Sequence, residues 1–221
     1  MSSSLPLIDL LLHAVLAYLL GSLSGSLLLG RLRGVDIRSQ GSGNAGGTNA
    51  FRTQGIKFAV LVVVIDIGKG VAATALLPKL ALGLPQYEVS MLSGICAIGA
   101  VCGHIWPLFF GFRGGKGAAT AVGAAGTLSL VAIPVLLAIW IVTIILTGYV
   151  GLASMLAALS LWPTFALWGP EPLPLGYHIA AIGLSLLVVY AHRSNIQRML
   201  AGNENRFQKA RLLHRWLKRS P

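Results

Sequence analysis

Long uncharged apolar stretches alternate with short polar segments along most of this chain, a repeat far too long for strands or for surface helices. Leu10 to Gly30 runs without Asp, Glu, Lys or Arg, enough for one helix through the ~30 Å hydrocarbon layer of a bilayer. Phe58 to Leu77 predicts a second span, interrupted by Asp66 and Lys69, and Val89 to Phe112 a third. From Gly117 to Pro170 there is again no charge, and Leu173 to His192 predicts a last span. The chain start, "MSSSLPLIDL", lacks the cations of a signal peptide, and its apolar run meets Arg31 and Arg33 at the wrong end for one. It reads as a retained span.

Charge decides the topology. Of 17 Lys and Arg, five lie between Arg31 and Lys57, two at Arg113 and Lys116, and eight between Arg193 and Arg219. Cytoplasmic loops collect such cations, so these segments belong inside. The segment "GPEPLP" is acidic and proline-rich, and belongs outside. The uncharged run before it must therefore cross an odd number of times. Three crossings fit its length, with breaks at Ser129–Pro134 and Thr147–Tyr149 and an unusually short first helix from Ala118. The expectation is an all-α polytopic membrane protein: seven transmembrane helices, the N-terminus outside and the C-terminus cytoplasmic, one domain over residues 1–221. Residues 198–221 read as a basic amphipathic tail on the inner leaflet, with Phe207, Ala210, Leu213 and Trp216 three apart among cations. Trp106, Trp140, Trp162 and Trp168 read as interface or lipid anchors.

Composition agrees. Hydrophobic residues make up 55% and charged ones 10%, with mean hydropathy +0.77, outside the range of soluble domains. The net charge of +11 is explained by the positive-inside bias, and no nucleic-acid partner is expected. Cys96 and Cys102 lie ~9 Å apart along a helix axis, too far to pair, and read as small hydrophobes.

Against this background "GSGNAGGTNAFRTQG", Gly41 to Gly55, stands out for its glycines, amides, hydroxyls and single arginine. It contains G-x-G-x-x-G at Gly41, Gly43 and Gly46, but it follows a membrane helix where a dinucleotide fold needs a strand. "GFRGGKGAAT" resembles a Walker A loop, yet Phe110 and Gly117 occupy positions that require Gly and Ser or Thr. Both loops keep the physics of such motifs: successive N–H groups and a helix N-terminus attract an anion, and Lys116 adds a full charge. Two such loops on one membrane face favour phosphate binding over two flexible turns.

His192 and Asn195 are three apart at the inner end of the last span, hence on one helix side. His13, His104, His178 and His214 lack comparable company and read as structural. Asp66 and Lys69 read as an intramembrane ion pair at i, i+3, either functional or holding helices together. No two of the six carboxylates sit at ligand spacing with a His, so no metal and no cofactor is expected.

Taken in order, "GSGNAGGTNAFR", "GGKGAAT", Tyr149 to Ser154 and "HRSNIQRMLAGNE" resemble the bacterial membrane acyl-phosphate:glycerol-3-phosphate acyltransferases, the PlsY family. Gly47 stands where that family usually has Ala, and Gly151 where it usually has Ser. The resemblance implies seven helices in the bacterial cell inner membrane, with the active site facing the cytoplasm. It also implies transfer of a fatty acyl group from acyl phosphate to the 1-hydroxyl of sn-glycerol 3-phosphate. The products are lysophosphatidic acid and phosphate, and a soluble enzyme supplies the acyl phosphate. None of the five histidines has Asp five positions later, the arrangement of acyl-CoA-dependent acyltransferases.

On this reading Lys116 and the amides of Gly114, Gly115 and Gly117 hold glycerol phosphate. Ser42, Arg52 and Asn44, with Gly43, Thr48 and Asn49, hold acyl phosphate and neutralise the departing phosphate. His192 and Asn195 orient the hydroxyl, and Ser154 lines the site. Because both substrates are phosphate dianions, carboxylates are expected to be absent nearby. The competing reading is a transporter for an organic phosphate, using Asp66 and Lys69 at the midplane.

Overall fold

The computed structural model describes residues 5–80, 82 and 87–207, and among them there are helices and no strands. The helices are α1 (Leu5–Gly21), α2 (Gly25–Leu32), α3 (Gly47–Gln54), α4 (Ile56–Leu76), α5 (Val89–Ile105), α6 (Ala118–Leu128), α7 (Ala132–Thr147), α8 (Val150–Leu159), α9 (Leu161–Trp168), α10 (Leu175–Ala191) and α11 (Arg193–Leu200). Three stretches are long and apolar enough to cross a bilayer unaided: Ile56–Lys79, Val89–Phe110 and Val150–Trp168. Two bent pairs, α1 with α2 and α10 with α11, raise the count to five if each pair is one span, and α6 and α7 are shorter apolar helices. The breaks expected at Ser129–Pro134 and Thr147–Tyr149 are the α6–α7 and α7–α8 junctions.

The first span departs from expectation. Leu10 to Gly30 is not one helix but α1 and α2, bent by 42° across Ser22–Ser24. Side chains from α4 repair the break. The Lys69 ammonium donates to the Gly21 and Leu23 carbonyls at 2.8 and 3.2 Å, where α1 ends. The Gly25 amide, where α2 begins, donates to Asp66 Oδ1 at 3.1 Å. The cation thus sits at the negative end of one helix dipole and the anion at the positive end of the next. Asp66 and Lys69 are paired at 3.1 Å and buried, as expected, but they have a third partner in His104.

Small residues let the helices approach closely where lipid offers no hydrophobic driving force. A Cβ on Gly103 would lie 2.1 Å from the Tyr18 carbonyl oxygen, and one on Gly123 would lie 2.2 Å from that of Ile67. The main apolar core gathers α5, α6, α8, α9 and α10 around Val101, Ala124, Ala158, Leu161, Phe165 and Leu184. Trp162 and Trp168 are exposed. Trp106 packs on the core beside Tyr190, and Trp140 Nε1 donates to Ser154 Oγ at 3.3 Å. Of the tail, residues 198–200 belong to α11 and 201–207 return toward α8, the Phe207 amide donating to the Gly148 carbonyl at 2.8 Å. The rest of the expected amphipathic tail, residues 208–221, lies outside the described residues.

Candidate active site

The first glycine loop folds because one side chain holds it together. Asn49, buried in α3, accepts from the Ser42 amide at 2.9 Å and donates to the Ile37 and Gln40 carbonyls at 3.1 and 3.0 Å. Its oxygen and amide hydrogens are engaged in bracing the loop. Gly41 and Gly43 adopt φ of +57° and +71°, the left-handed region that disfavours a side chain. Residues 47–54 form α3 rather than the loop expected from their composition, and its first amides, from Gly47, Thr48 and Asn49, have no intrahelical acceptor.

The second loop is anchored to the end of α5. The amides of Gly114 and Gly115 donate to the carbonyls of Ile105 and His104, both at 3.1 Å. This corrects the expectation that those two amides serve a ligand. The free donors lie one step later, at Lys116, Gly117, Ala118 and Ala119, where α6 begins. Arg38 ties the two loops together. Its guanidinium is paired with Asp36 and donates to the Phe110 and Arg113 carbonyls at 2.8 and 3.1 Å.

Both helix starts face one cavity of about 910 Å³. Ser42, Asn44, Thr48, Asn49, Arg52, Lys116, Gly117, Ser154, His192 and Asn195 line it; Gly43, Gly114 and Gly115 do not. Its polar end holds the cations Arg52, Lys116 and Arg198. Its other end is apolar, walled by Val60, Val63 and Val64 of α4 and by Ile133, Leu137 and Ile141 of α7. Several of these wall residues are also exposed on the molecular surface. A second cleft, between Gly41, Ser42 and Arg52 on one side and Asn205, Arg206 and Phe207 on the other, adjoins the polar end.

Around Lys116 the side chains form a chain of donors and acceptors. Lys116 donates to Asn195 Oδ1, Asn195 Nδ2 donates to Glu204 Oε1 at 2.7 Å, and Arg198 Nε donates to Glu204 Oε2 at 2.6 Å. Burial above all, then the Arg198 charge, pushes the Lys116 ammonium down to about 8, with Glu204 opposing. His192 is buried, its Nδ1 bonded to the Val188 carbonyl at 2.8 Å. A carbonyl only accepts, so Nδ1 carries the proton, and among the described residues Nε2 has no hydrogen-bond partner. Ser154 Oγ donates to the Val150 carbonyl at 3.0 Å while accepting from Trp140.

Two features escape the sequence reading. Glu204 places a carboxylate in a site expected to have none; paired with Arg198, it cancels one charge and fixes Asn195. Arg206 Nε donates to the Tyr149 hydroxyl at 2.8 Å with its guanidinium over that ring, so the segment after α11 covers the site. The spacing of His192 and Asn195 marks one helix side in the sequence; the place of Arg198 beside them, and the return of residues 204–206 to that face, have no such signal.

A cavity with two amide-rich helix starts, three cations and an apolar arm suits an amphiphile and a phosphorylated partner. Comparison with known proteins identifies the lineage. The family model for glycerol-3-phosphate acyltransferase matches residues 11–202. The chain belongs to this family. A glycerol-3-phosphate acyltransferase of Shouchella clausii (strain KSM-K16) is 38% identical over 213 residues, covering 92% of this chain and 98% of that one. One of Aliivibrio salmonicida (strain LFI1238) is 44% identical over 197 residues, covering 89% and 96%. The crystal structure of PlsY (YgiH), an integral membrane glycerol 3-phosphate acyltransferase, in its glycerol 3-phosphate form, superposes with a TM-score of 0.79. The identity there is 35%, over 90% of this chain and 95% of that one. The lysophosphatidic acid form of the same acyltransferase gives 0.77. Membership makes the chain an integral membrane acyltransferase, and the two glycine loops with the His192–Glu204 segment all lie within or beside the matched region.

Proposed function

We propose that this protein transfers a fatty acyl group from an acyl phosphate to the 1-hydroxyl of sn-glycerol 3-phosphate. The products are lysophosphatidic acid and inorganic phosphate. The observation that carries the reading is the shared cavity: the starts of α3 and α6 bring free amides to its polar end, beside Arg52, Lys116 and Arg198, and its apolar arm runs between α4 and α7. The acyl chain lies in that arm. The acyl phosphate's phosphoryl group meets Ser42, Asn44, Arg52 and the amides at the start of α3. Glycerol phosphate is held by Lys116 and the amides from Lys116 to Ala119.

The hydroxyl oxygen bonds to the acyl carbon as the carbon–oxygen bond to phosphate breaks. The hydroxyl proton ends on the released phosphate. Nε2 of His192, with its free lone pair, accepts a hydrogen bond from the attacking hydroxyl, and Asn195 keeps Lys116 in register. Phosphate is a good leaving group, so positioning and charge stabilisation carry the rate, without a covalent enzyme intermediate. The chain's own residues suffice, with no metal or cofactor. The same reading puts seven crossings in the bacterial inner membrane, the N-terminus outside and the site facing the cytoplasm, where a soluble enzyme supplies acyl phosphate.

The test is phosphate release by purified protein in detergent micelles, where no gradient can drive a transporter. Acyl phosphate and glycerol phosphate together release phosphate and form lysophosphatidic acid; either alone does not. Product formation that is absent in micelles, with uptake of an organic phosphate into vesicles, overturns the proposal in favour of transport.

A further inference from the structure

The buried cluster behind the site joins the first span to the phosphate loop. Lys69 Nζ lies 2.8 Å from His104 Nδ1, and Asp66 Oδ1 lies 3.3 Å from the same nitrogen. All three side chains are at least nine-tenths buried. The two charges already close the gap between α1 and α2, so their positions are fixed by three helices at once. His104 is where that fixed point meets the loop. Its carbonyl takes the Gly115 amide, and its ring lies against Gly115 so tightly that a Cβ there would be 2.2 Å from Nε2. Gly115 is the residue before Lys116. Asp66 and His104 also line the cavity itself.

We propose that Asp66, Lys69 and His104 form a positioning unit for glycerol phosphate binding. The ion pair sets the orientation of the His104 ring, and the ring sets the height of the Gly115–Lys116 loop at the start of α6. A neutral imidazole between an ammonium and the loop backbone can do this without adding charge to a lipid-embedded core, where unpaired charge is costly. The proposal rests on the reading of Lys116 as the anchor for glycerol phosphate.

The experiment measures kcat and both KM values for His104→Ala, His104→Gln and the double variant Asp66→Asn/Lys69→Met. Lys116→Ala serves as the control, and thermal unfolding is followed alongside. His104→Ala is expected to raise the KM for glycerol phosphate about tenfold, while the KM for acyl phosphate stays within about twofold, because a small displacement of a binding group weakens only the ligand it holds. His104→Gln, which keeps a polar group near the pair, recovers part of the loss. The double variant removes both charges together and shifts the same KM. Folded variants with a lowered melting temperature and unchanged KM values overturn the proposal, as does an equal rise in both KM values. If His104→Ala does not fold, His104→Gln and the double variant decide by the same criteria. A Lys116→Ala enzyme with an unchanged KM for glycerol phosphate removes the anchor reading itself. If Lys116→Ala raises that KM and the cluster variants do not, the anchor stands and this proposal falls.

Discussion

Lys116 and Asn195, 79 positions apart in the chain, meet in a direct hydrogen bond that ties the start of α6 to α11. The bond holds a largely buried cation at the wall of the cavity. Burial brings its ammonium down to about 8, so it is charged at neutral pH and loses the proton as pH rises through that value. Binding of a phosphate dianion needs the charged form. The KM for glycerol phosphate is therefore expected to climb above about pH 8, by about tenfold for each pH unit once the ammonium is mostly neutral. Lys116→Arg, which stays charged throughout, removes that climb even if its absolute activity is lower. A wild-type KM flat from pH 7 to well above pH 9 disproves the assignment.

Arg52 stands at the other side of the polar end, exposed on α3 and without a hydrogen-bond partner among the described residues. Arg52→Ala is expected to lower turnover by about two orders of magnitude, the cost of removing one donor to developing phosphate charge. Its melting temperature stays with wild type. Near-normal turnover removes Arg52 from the machinery.

Glu204 holds both Asn195 and Arg198 with only its edge reaching solvent. Glu204→Gln keeps the shape but deprives Arg198 of its partner and offers Asn195 a weaker acceptor. Arg198 is about a third exposed, so water screens part of the loss. Stability falls by about 1–2 kcal/mol, and turnover falls further because Asn195 no longer fixes Lys116. A substitution that costs stability and leaves kcat/KM unchanged would separate Glu204 from the site.

How much of this was legible in the sequence divides by the range of the interaction. The breaks at Ser129–Pro134 and Thr147–Tyr149 came from local signals, a serine, a proline and a glycine interrupting apolar runs, and the helices end there. The two glycine-rich loops stand out by composition, because glycine, amide and cation rarely gather in so apolar a chain. The split of Leu10–Gly30 into α1 and α2 could not be read, since Ser22–Ser24 is a weak breaker and the charges that stabilise the break come from α4. His104 looked solitary because its partners Asp66 and Lys69 are brought to it by helix packing. The roles of Gly114 and Gly115 were misassigned for the same reason. A glycine-rich loop announces available amides, but which of them are already bonded depends on where α5 ends.

Gly151 carries the last prediction, because its nearest neighbour is Asn195, the partner of Lys116. A Cβ at position 151 would lie 2.8 Å from Asn195 Nδ2 and 2.9 Å from its Cγ. Asn195 cannot swing aside freely, since Lys116 holds one end of its amide and Glu204 the other. Gly151→Ala should therefore displace the Asn195 side chain by a few tenths of an ångström or push α8 away from α11. Either motion loosens Lys116. The expected result is a loss of about tenfold in kcat/KM for glycerol phosphate, in keeping with a small misplacement of a binding group. Gly151→Ser adds a hydroxyl that can bond to the displaced amide, and should recover part of that loss. An Ala variant with full activity shows that Asn195 has room to move; its bond to Lys116 then contributes little to binding.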